Sequence, residues 1–279
     1  MTTPQRILSL EEAWQAYDDI EARLTAPLSE RMFDLAALRP GLRVLDLATG
    51  RGEPAIRAAR RVGPTGRVLG VDPSESMLQM TRARATREGV SNLDLRAASA
   101  ESLDGIESAT FDVALARWGL MYMSNPVAAL AEARRALVPG GVLVAAVWVE
   151  PERVSYYSFP RRVLEKHRAL PPIDFEAPGT FHYADPDRLP RDLAAAGLGI
   201  VHAEDFEVEV MEAATDAELV AWTRAFGLTR LLNELPEETQ LAWEMDLVRE
   251  AAPLWREGVV RLGGVTRLVV AKAGERRTP

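Results

Sequence analysis

Two carboxylates, Asp46 and Asp72, flank a pair of closely spaced glycines, Gly50 and Gly52, in a pattern suited to holding a nucleotide-like ligand. Asp46 ends the short apolar run Val44-Leu45, and the small-residue loop Ala48-Thr49-Gly50-Arg51-Gly52 follows it. Pro54 stands at a first-turn helix position, where a missing N–H costs nothing, and the apolar-periodic stretch Ala55 to Val62 continues as a helix. Backbone without side chains lets a ligand approach closely, and a helix N-terminus offers free N–H groups. Asp72 ends a second apolar run, Arg67 to Val71. A carboxylate there would accept charge-assisted hydrogen bonds from both hydroxyls of a ribose.

Two readings compete for this loop. Gly50-x-Gly52-x-x-Ala55, with Asp72 in the place of a ribose-binding acid, fits the dinucleotide fingerprint and a nicotinamide cofactor, NAD. Asp46 with Ala48, Gly50 and Gly52 also makes a degenerate acid-x-Gly-x-Gly-x-Gly loop. That pattern resembles motif I of the class I S-adenosylmethionine (SAM)-dependent methyltransferases. An ionised Asp46 would oppose a pyrophosphate but suit the ammonium of a methionine moiety, and Glu53 would likewise repel a diphosphate.

The elements around the loop decide the matter. Ser74 is placed to cap a helix from Glu75 to Glu88, which Gly89 terminates. Leu93 to Ala98 reads as a third strand and Phe111 to Ala116 as a fourth, leading into Arg117-Trp118-Gly119. Asn125 and Pro126 open a helix that Pro139-Gly140-Gly141 closes, before the apolar fifth strand Val142 to Trp148. Helix and strand alternate as a parallel sheet with crossover helices requires.

VLDLATGRGEPA, VLGVDPSESML, ASAESL, FDVALARWGLMYM and LVPGGVLVAAVW look like successive class I methyltransferase motifs, in order and correctly spaced over residues 44–148. Within the class the pattern is similar to the UbiE-like and small-molecule type 11 group. The resemblance implies a Rossmann-like α/β fold: a doubly wound, seven-stranded, mostly parallel sheet with an antiparallel last strand and a helical cap. It implies SAM as cofactor, with Asp46, Ala48, Gly50 and Gly52 holding the methionine portion and Asp72 and Pro73 at the ribose. The same resemblance implies Met77 near the adenine, Ser99, Ala100 and Glu101 following the third strand, and Arg117 and Trp118 lining the floor. Methyltransferases of this type commonly carry Asp where Ser99 stands. Ser9-Leu10-Glu11-Glu12 is a capping box, and the helix it opens covers the cofactor in such enzymes, with Tyr17 reaching inward.

The second half is less legible. Residues 149–183 show no clear periodicity. Asp185-Pro186-Asp187 starts a helix ending near Gly197, and Glu204 to Val210 alternates as a strand with one wet face. Thr215-Asp216-Ala217-Glu218 is another capping box, opening a helix with Leu219, Trp222 and Phe226 inward; Pro236 to Leu254 is one more amphipathic helix, and Val265 to Lys272 an antiparallel strand at the sheet edge. The expected division is 1–40 as N-terminal helices, 41–150 as SAM-binding core, 151–214 as acceptor-side segment and sixth strand, 215–258 as helical cap over the acceptor, and 259–279 as last strand and tail.

Composition narrows the chemistry. The 279 residues are 47% hydrophobic with a net charge of −8, so a basic nucleic-acid face is not expected. No apolar run approaches a bilayer-spanning length, and the N-terminal stretch lacks a signal-peptide core, so a cytoplasmic protein without a membrane partner is expected. Without cysteine there is no thiolate nucleophile, and no His/Asp spacing suggests a metal. Of the three histidines, His167 reads as a surface residue, His202 as the start of a strand, and His182, between Phe181 and Tyr183, as the candidate general base.

The expected activity is methyl transfer from SAM to a hydroxyl, or an activated carbon, of a small, partly apolar acceptor, by a monomer or homodimer. A C-methyltransferase of a quinone-like ring, a SAM-fold binding module or cyclase, and an NAD-dependent oxidoreductase are the alternatives.

Overall fold

The computed structural model describes residues 20–225 and 228–273; the Ser9 capping box, Tyr17 and Phe226 lie outside them. The described residues divide into two compact units, one of residues 27–149, 174–206 and 266–273, the other of residues 20–26, 150–173, 207–225 and 228–265.

The larger unit alternates strand and helix. After α1 (Ala26–Leu35) come β1 (Arg43–Leu47), α2 (Ala55–Val62), β2 (Arg67–Asp72), α3 (Glu75–Arg87), β3 (Leu93–Ala97), β4 (Phe111–Arg117), α4 (Pro126–Ala136) and β5 (Leu137–Trp148). Further along the chain follow α5 (Ser155–Glu165), α6 (Arg188–Ala195), β6 (Leu198–Ala213), α7 (Asp216–Ala225), α8 (Thr229–Asn233), α9 (Glu237–Ala251) and β7 (Val260–Ala273). The seven strands form one sheet in the order β3-β2-β1-β4-β5-β7-β6, with β1 to β5 parallel and β7 antiparallel to β5. The strand order reverses between β1 and β4, the topological switch point at which such sheets bind ligands beyond their carboxyl ends.

Burial explains the order. Val44, Leu45 and Leu47 of β1 and Ala114 to Ala116 of β4 are fully buried, so both strands need covered faces and neighbours on either side. Leu93 to Ala97 keep more exposure, which suits β3 to one edge. The opposite edge is a correction to the sequence reading: it is β6, not the strand containing Val265 to Lys272. Leu268 to Ala271 are buried apolar residues on both faces of β7, whereas the charge-rich middle of β6 tolerates an open flank. Pro139-Gly140-Gly141 likewise does not precede β5 but lies within it, as an irregularity where the β4–β5 register shifts between Phe111 and Val113.

The smaller unit has its own core, in which Val163 and Leu164 of α5 pack with Leu219 and Trp222 of α7 and Trp243 and Leu247 of α9. Helix α5 lies where no periodicity was legible: its run of aromatics and the internal Pro160 hide the pattern. Thr215 caps its helix as expected, but the reciprocal bond of the capping box falls one residue earlier, on Ala214. Glu218 N–H donates to the Thr215 hydroxyl at 3.1 Å, while the Glu218 carboxylate reaches back to Ala214 N–H at 2.7 Å. Among the described residues no helix is long and apolar enough to cross a membrane.

Candidate functional site

The site is built at the carboxyl ends of β1, β2 and β4. The registers set Asp46 opposite Gly70 on β2 and opposite Leu115 on β4. Asp72 and Arg117 each lie two residues further on, so both project from the same sheet face as Asp46, as its diagonal neighbours on either side. Three charged groups therefore stand in a row along the strand ends: acid, acid, base.

Asp46 is fully buried, and one of its oxygens accepts a 2.5 Å hydrogen bond from the Thr49 hydroxyl. Its other oxygen, Oδ1, has no hydrogen-bond partner among the described residues. Burial pushes the carboxyl up to about 7, against the pull of the Thr49 hydroxyl and the Arg117 charge and helped by the negative charges of Asp72 and Glu53. A buried carboxylate oxygen left unsatisfied is costly, so this atom marks a place for a hydrogen-bonding cation. Gly70 makes room for the arrangement: a Cβ there would lie 2.8 Å from the Thr49 hydroxyl.

The loop between β1 and α2 is shaped for close approach. Ala48, Gly50 and Gly52 all take positive φ, which glycine adopts without penalty and alanine does not. A Cβ on Gly52 would meet Ile56 Cδ1 at 2.7 Å and Thr81 Cγ2 at 2.8 Å. The peptides are tied from behind. Gly50 N–H donates to Asp72 Oδ2 at 2.9 Å, and the Thr81 hydroxyl donates to the Gly50 carbonyl at 2.7 Å. Asp72 Oδ1 accepts from Ser74 N–H at 2.9 Å, so each carboxylate oxygen keeps a lone pair for a ligand hydroxyl.

Glu53 departs from expectation. It does not present a charge that would repel a diphosphate, because Arg84 neutralises it in a buried ion pair of 2.9 Å, with Arg57 nearby at 3.6 Å. The case against a pyrophosphate thus rests on Asp46 alone.

At the tip of β4, Trp118 has φ 56° and stacks on Trp148 with ring centroids 4.5 Å apart. Its indole N–H donates to the Thr266 hydroxyl at 3.0 Å, and that hydroxyl donates to the Val147 carbonyl at 2.8 Å. The Arg117 guanidinium lies 5.0 Å from the Trp118 ring centroid. Gly119 is needed behind them, since a Cβ would sit 2.6 Å from that of Ala48.

A methyltransferase-domain family profile matches residues 38–172. Nocamycin O-methyltransferase from Saccharothrix syringae is 30% identical over 248 residues, which span 84% of this chain and 86% of the relative. The chain belongs to the SAM-dependent methyltransferases. The ubiquinone/menaquinone biosynthesis C-methyltransferase UbiE of Hydrogenovibrio crunogenus is 43% identical over 112 residues, 40% of this chain and 44% of that relative. In fold, the chain is similar to a SAM-dependent methyltransferase from Aquifex aeolicus, with a TM-score of 0.54 at 19% identity over 70% of this chain and 92% of that one.

The methyltransferase brings most of the expected cofactor residues to one rim. Asp46, Ala48, Gly50, Gly52, Asp72, Arg117 and Trp118 cluster as described. Pro73 is exposed beside Asp72, and Met77, partly exposed, donates its N–H to the capping Ser74 hydroxyl at 3.3 Å. Beyond β3, Ser99 accepts from Glu101 N–H at 3.2 Å and Ala100 is buried. Glu101 turns its carboxylate to Ser124 N–H at 2.8 Å, pinning the segment after β4.

His182 lies in the same unit but on the segment before α6. Its Nδ1 is 3.2 Å from the Ala177 carbonyl and 3.3 Å from Arg188 Nη1. The segment is docked to the chain after β4, with Gly179 N–H donating to the Met121 carbonyl at 2.8 Å and the Tyr122 and Thr180 hydroxyls 3.0 Å apart. Next to it, the Tyr183 hydroxyl donates to Asp192 at 2.9 Å, and burial above all pushes that phenol far above its ordinary range. His167 is not a free surface residue: it pairs with Asp246 at 3.0 Å in the smaller unit. His202 pairs with Glu204, which Arg31 grips with two bonds and holds down at about 2.

Sequence reasoning passed over Thr49, Thr81, Arg84 and Thr266. Thr49 had a weak signal, being a polar residue beside Gly50, and Thr81 had none, lying inside the α3 helix between Met80 and Arg82. Thr266 had none, since 148 positions separate it from Trp118.

Proposed function

We propose that this methyltransferase moves a methyl group from SAM to a hydroxyl oxygen of a small, partly apolar metabolite. What carries the choice of oxygen is the reach of the O-methyltransferase relative. Its similarity extends over 84% of this chain, acceptor half included, whereas the match to the C-methyltransferase covers 40%. Carbon methylation of a quinone-like ring is the second reading, supported by the higher identity of that shorter match.

The orphaned Oδ1 of Asp46 and the glycine cradle fit the cofactor. Asp46 would take its ammonium, the Ala48 to Gly52 backbone its methionine chain, and Asp72 its ribose hydroxyls. Met77 would lie against the adenine and Trp118 beneath the reacting end. Bound SAM supplies an electrophilic methyl on a sulfonium. The chain's own contribution is to hold donor and acceptor in line, which can remove ~7–11 kcal/mol of the barrier. A hydroxyl acceptor must also lose its proton. In the tautomer in which His182 Nδ1–H donates to the Ala177 carbonyl, Nε2 carries the free lone pair, and His182 would take that proton there.

The test is incubation with methyl-labelled SAM and a panel of phenols, alcohols and quinols. An O-methyl product, identified by the chemical shift of the transferred carbon, is expected. A C-methyl product would replace this reading with the second, and S-adenosylhomocysteine binding without any transfer across the panel would replace it with a binding module.

A further inference from the structure

The first part of β6 lacks the guards that an edge strand usually carries. From Leu193 to Ala203 the chain holds no Lys, Arg, Asp, Glu or Pro, whereas Glu204, Asp205, Glu207 and Glu209 protect the stretch that follows. β6 is the last strand of the sheet, so among the described residues no strand covers its outer flank. Ile200 is 39% and Val201 58% exposed. Successive strand residues point to opposite faces, so apolar surface lies open on both sides of the same edge.

We propose that this edge pairs with a second copy of the chain: β6 joins β6, antiparallel, about a two-fold axis at Val201, making one continuous sheet. Geometry restricts the register. Opposed residues of an antiparallel pair share a face, and a two-fold axis normal to the sheet leaves every residue on its own face. Only residues an even number of positions apart can therefore meet. With the axis at Val201, that residue faces itself, Ile200 faces His202, Gly199 faces Ala203 and Leu198 faces Glu204. No like charges are opposed, and a β-branched pair lies at the centre. Moving the axis to Ile200 sets Val201 against Gly199, and moving it to His202 sets Ile200 against Glu204. Charge at the ends favours the same register, because Gly197 then faces Asp205 of the second copy. A Cβ on Gly197 would lie 3.0 Å from Arg134 Nη1, so the exposed Arg134 lays its guanidinium where that carboxylate arrives. Asp205 pairs with Arg267 at 3.1 Å in its own chain and would be shared between the two cations, twice per dimer by symmetry. A paired edge this short buries less than the ~800 Å² per partner of a standard interface, so the dimer should form reversibly with concentration.

The test is sedimentation velocity on the full chain from roughly 1 to 500 µM. Wild type should pass from monomer to dimer across that range. Val201→Lys should weaken association at least ~10-fold with its melting temperature unchanged, and Arg134→Glu by a smaller factor, ~2- to 5-fold. The chain has no cysteine, so a single Val201→Cys substitution reports on the axis directly. Opposed Cα atoms in such a pair lie within disulfide reach, and copper-phenanthroline should crosslink Val201→Cys at least ~10-fold faster than Glu107→Cys, an exposed control away from this edge. The crosslinking arm stands even if Val201→Lys fails to fold. Wild type that stays monomeric to the top of the range overturns the proposal. So does a dimer that folded Val201→Lys leaves intact, or a Val201→Cys protein that crosslinks no faster than the control.

Discussion

Replacing Asp46 by Asn separates the two roles of this carboxyl. Burial raises its pKa from 3.8 to about 7, a cost to the ionised form on the order of 4 kcal/mol. The sign follows from linkage. A carboxyl with a raised folded pKa binds a proton that the unfolded chain has released, so its contribution to stability is full below pH ~4 and is lost as pH rises to ~7. The amide of the Asp46→Asn variant avoids that loss and still accepts from the Thr49 hydroxyl, but its N–H groups take the position of the unpartnered oxygen, a penalty of ~1–3 kcal/mol. The ligand-free variant should thus be more stable than wild type at pH 8 by ~1–3 kcal/mol in denaturant melts, and equal or weaker at pH 4. Cofactor affinity moves the other way. If the ammonium needs ionised Asp46, wild-type S-adenosylhomocysteine affinity should fall about tenfold from pH 8 to pH 6, since only about a tenth of the carboxyl is then ionised. Asp46→Asn should bind at least ~10-fold more weakly at pH 8 and show no such slope. Calorimetry at four pH values reads both. A wild-type affinity flat from pH 6 to 8, or an Asp46→Asn protein that binds normally, would refute the assignment of the ammonium to Asp46.

Three further outcomes are expected. Asp72→Ala should cost ~2–4 kcal/mol of S-adenosylhomocysteine affinity, and because Gly50 and Ser74 N–H lose their acceptor it should also lower the melting temperature; an unchanged affinity would move the ribose site elsewhere. Arg84→Met should destabilise by at most about 3 kcal/mol, because the buried Glu53 charge keeps only the longer pairing to Arg57, and Glu53→Gln added to it should recover part of that, a coupling that a double-mutant cycle in urea measures directly. His182→Ala should reduce kcat by ~10²–10⁴ with S-adenosylhomocysteine affinity little changed; a near-full kcat from pH 6 to 9 would show that the acceptor ionises unaided.

How much of this was legible in the sequence depended on distance along the chain. The strand–loop–helix units around Asp46 and Asp72 are short, and their alternation of apolar runs, glycines and caps is a local property that a linear reading captures. Ser74 and Thr215 cap their helices as expected for the same reason. The tip residues were legible as types, since Arg117-Trp118-Gly119 follows a strand wherever that strand lies. Their consequences were not. That Arg117 shares a face with Asp46 is set by the β1–β4 register, which joins segments about 70 residues apart. Glu53 looked like a repelling charge until α3 brought Arg84 against it, and the Trp118 indole found its acceptor on β7. The sheet order beyond β5 and the helix carrying Pro160 were misread or missed because both depend on what packs against them: β7 is interior because both its faces are apolar, and α5 is helical because its buried side chains join a core whose partners lie beyond residue 210. Local propensity and spacing determined the elements and the chemistry at their ends; long-range packing decided which charges meet, because a charge has a role only once its neighbours are known.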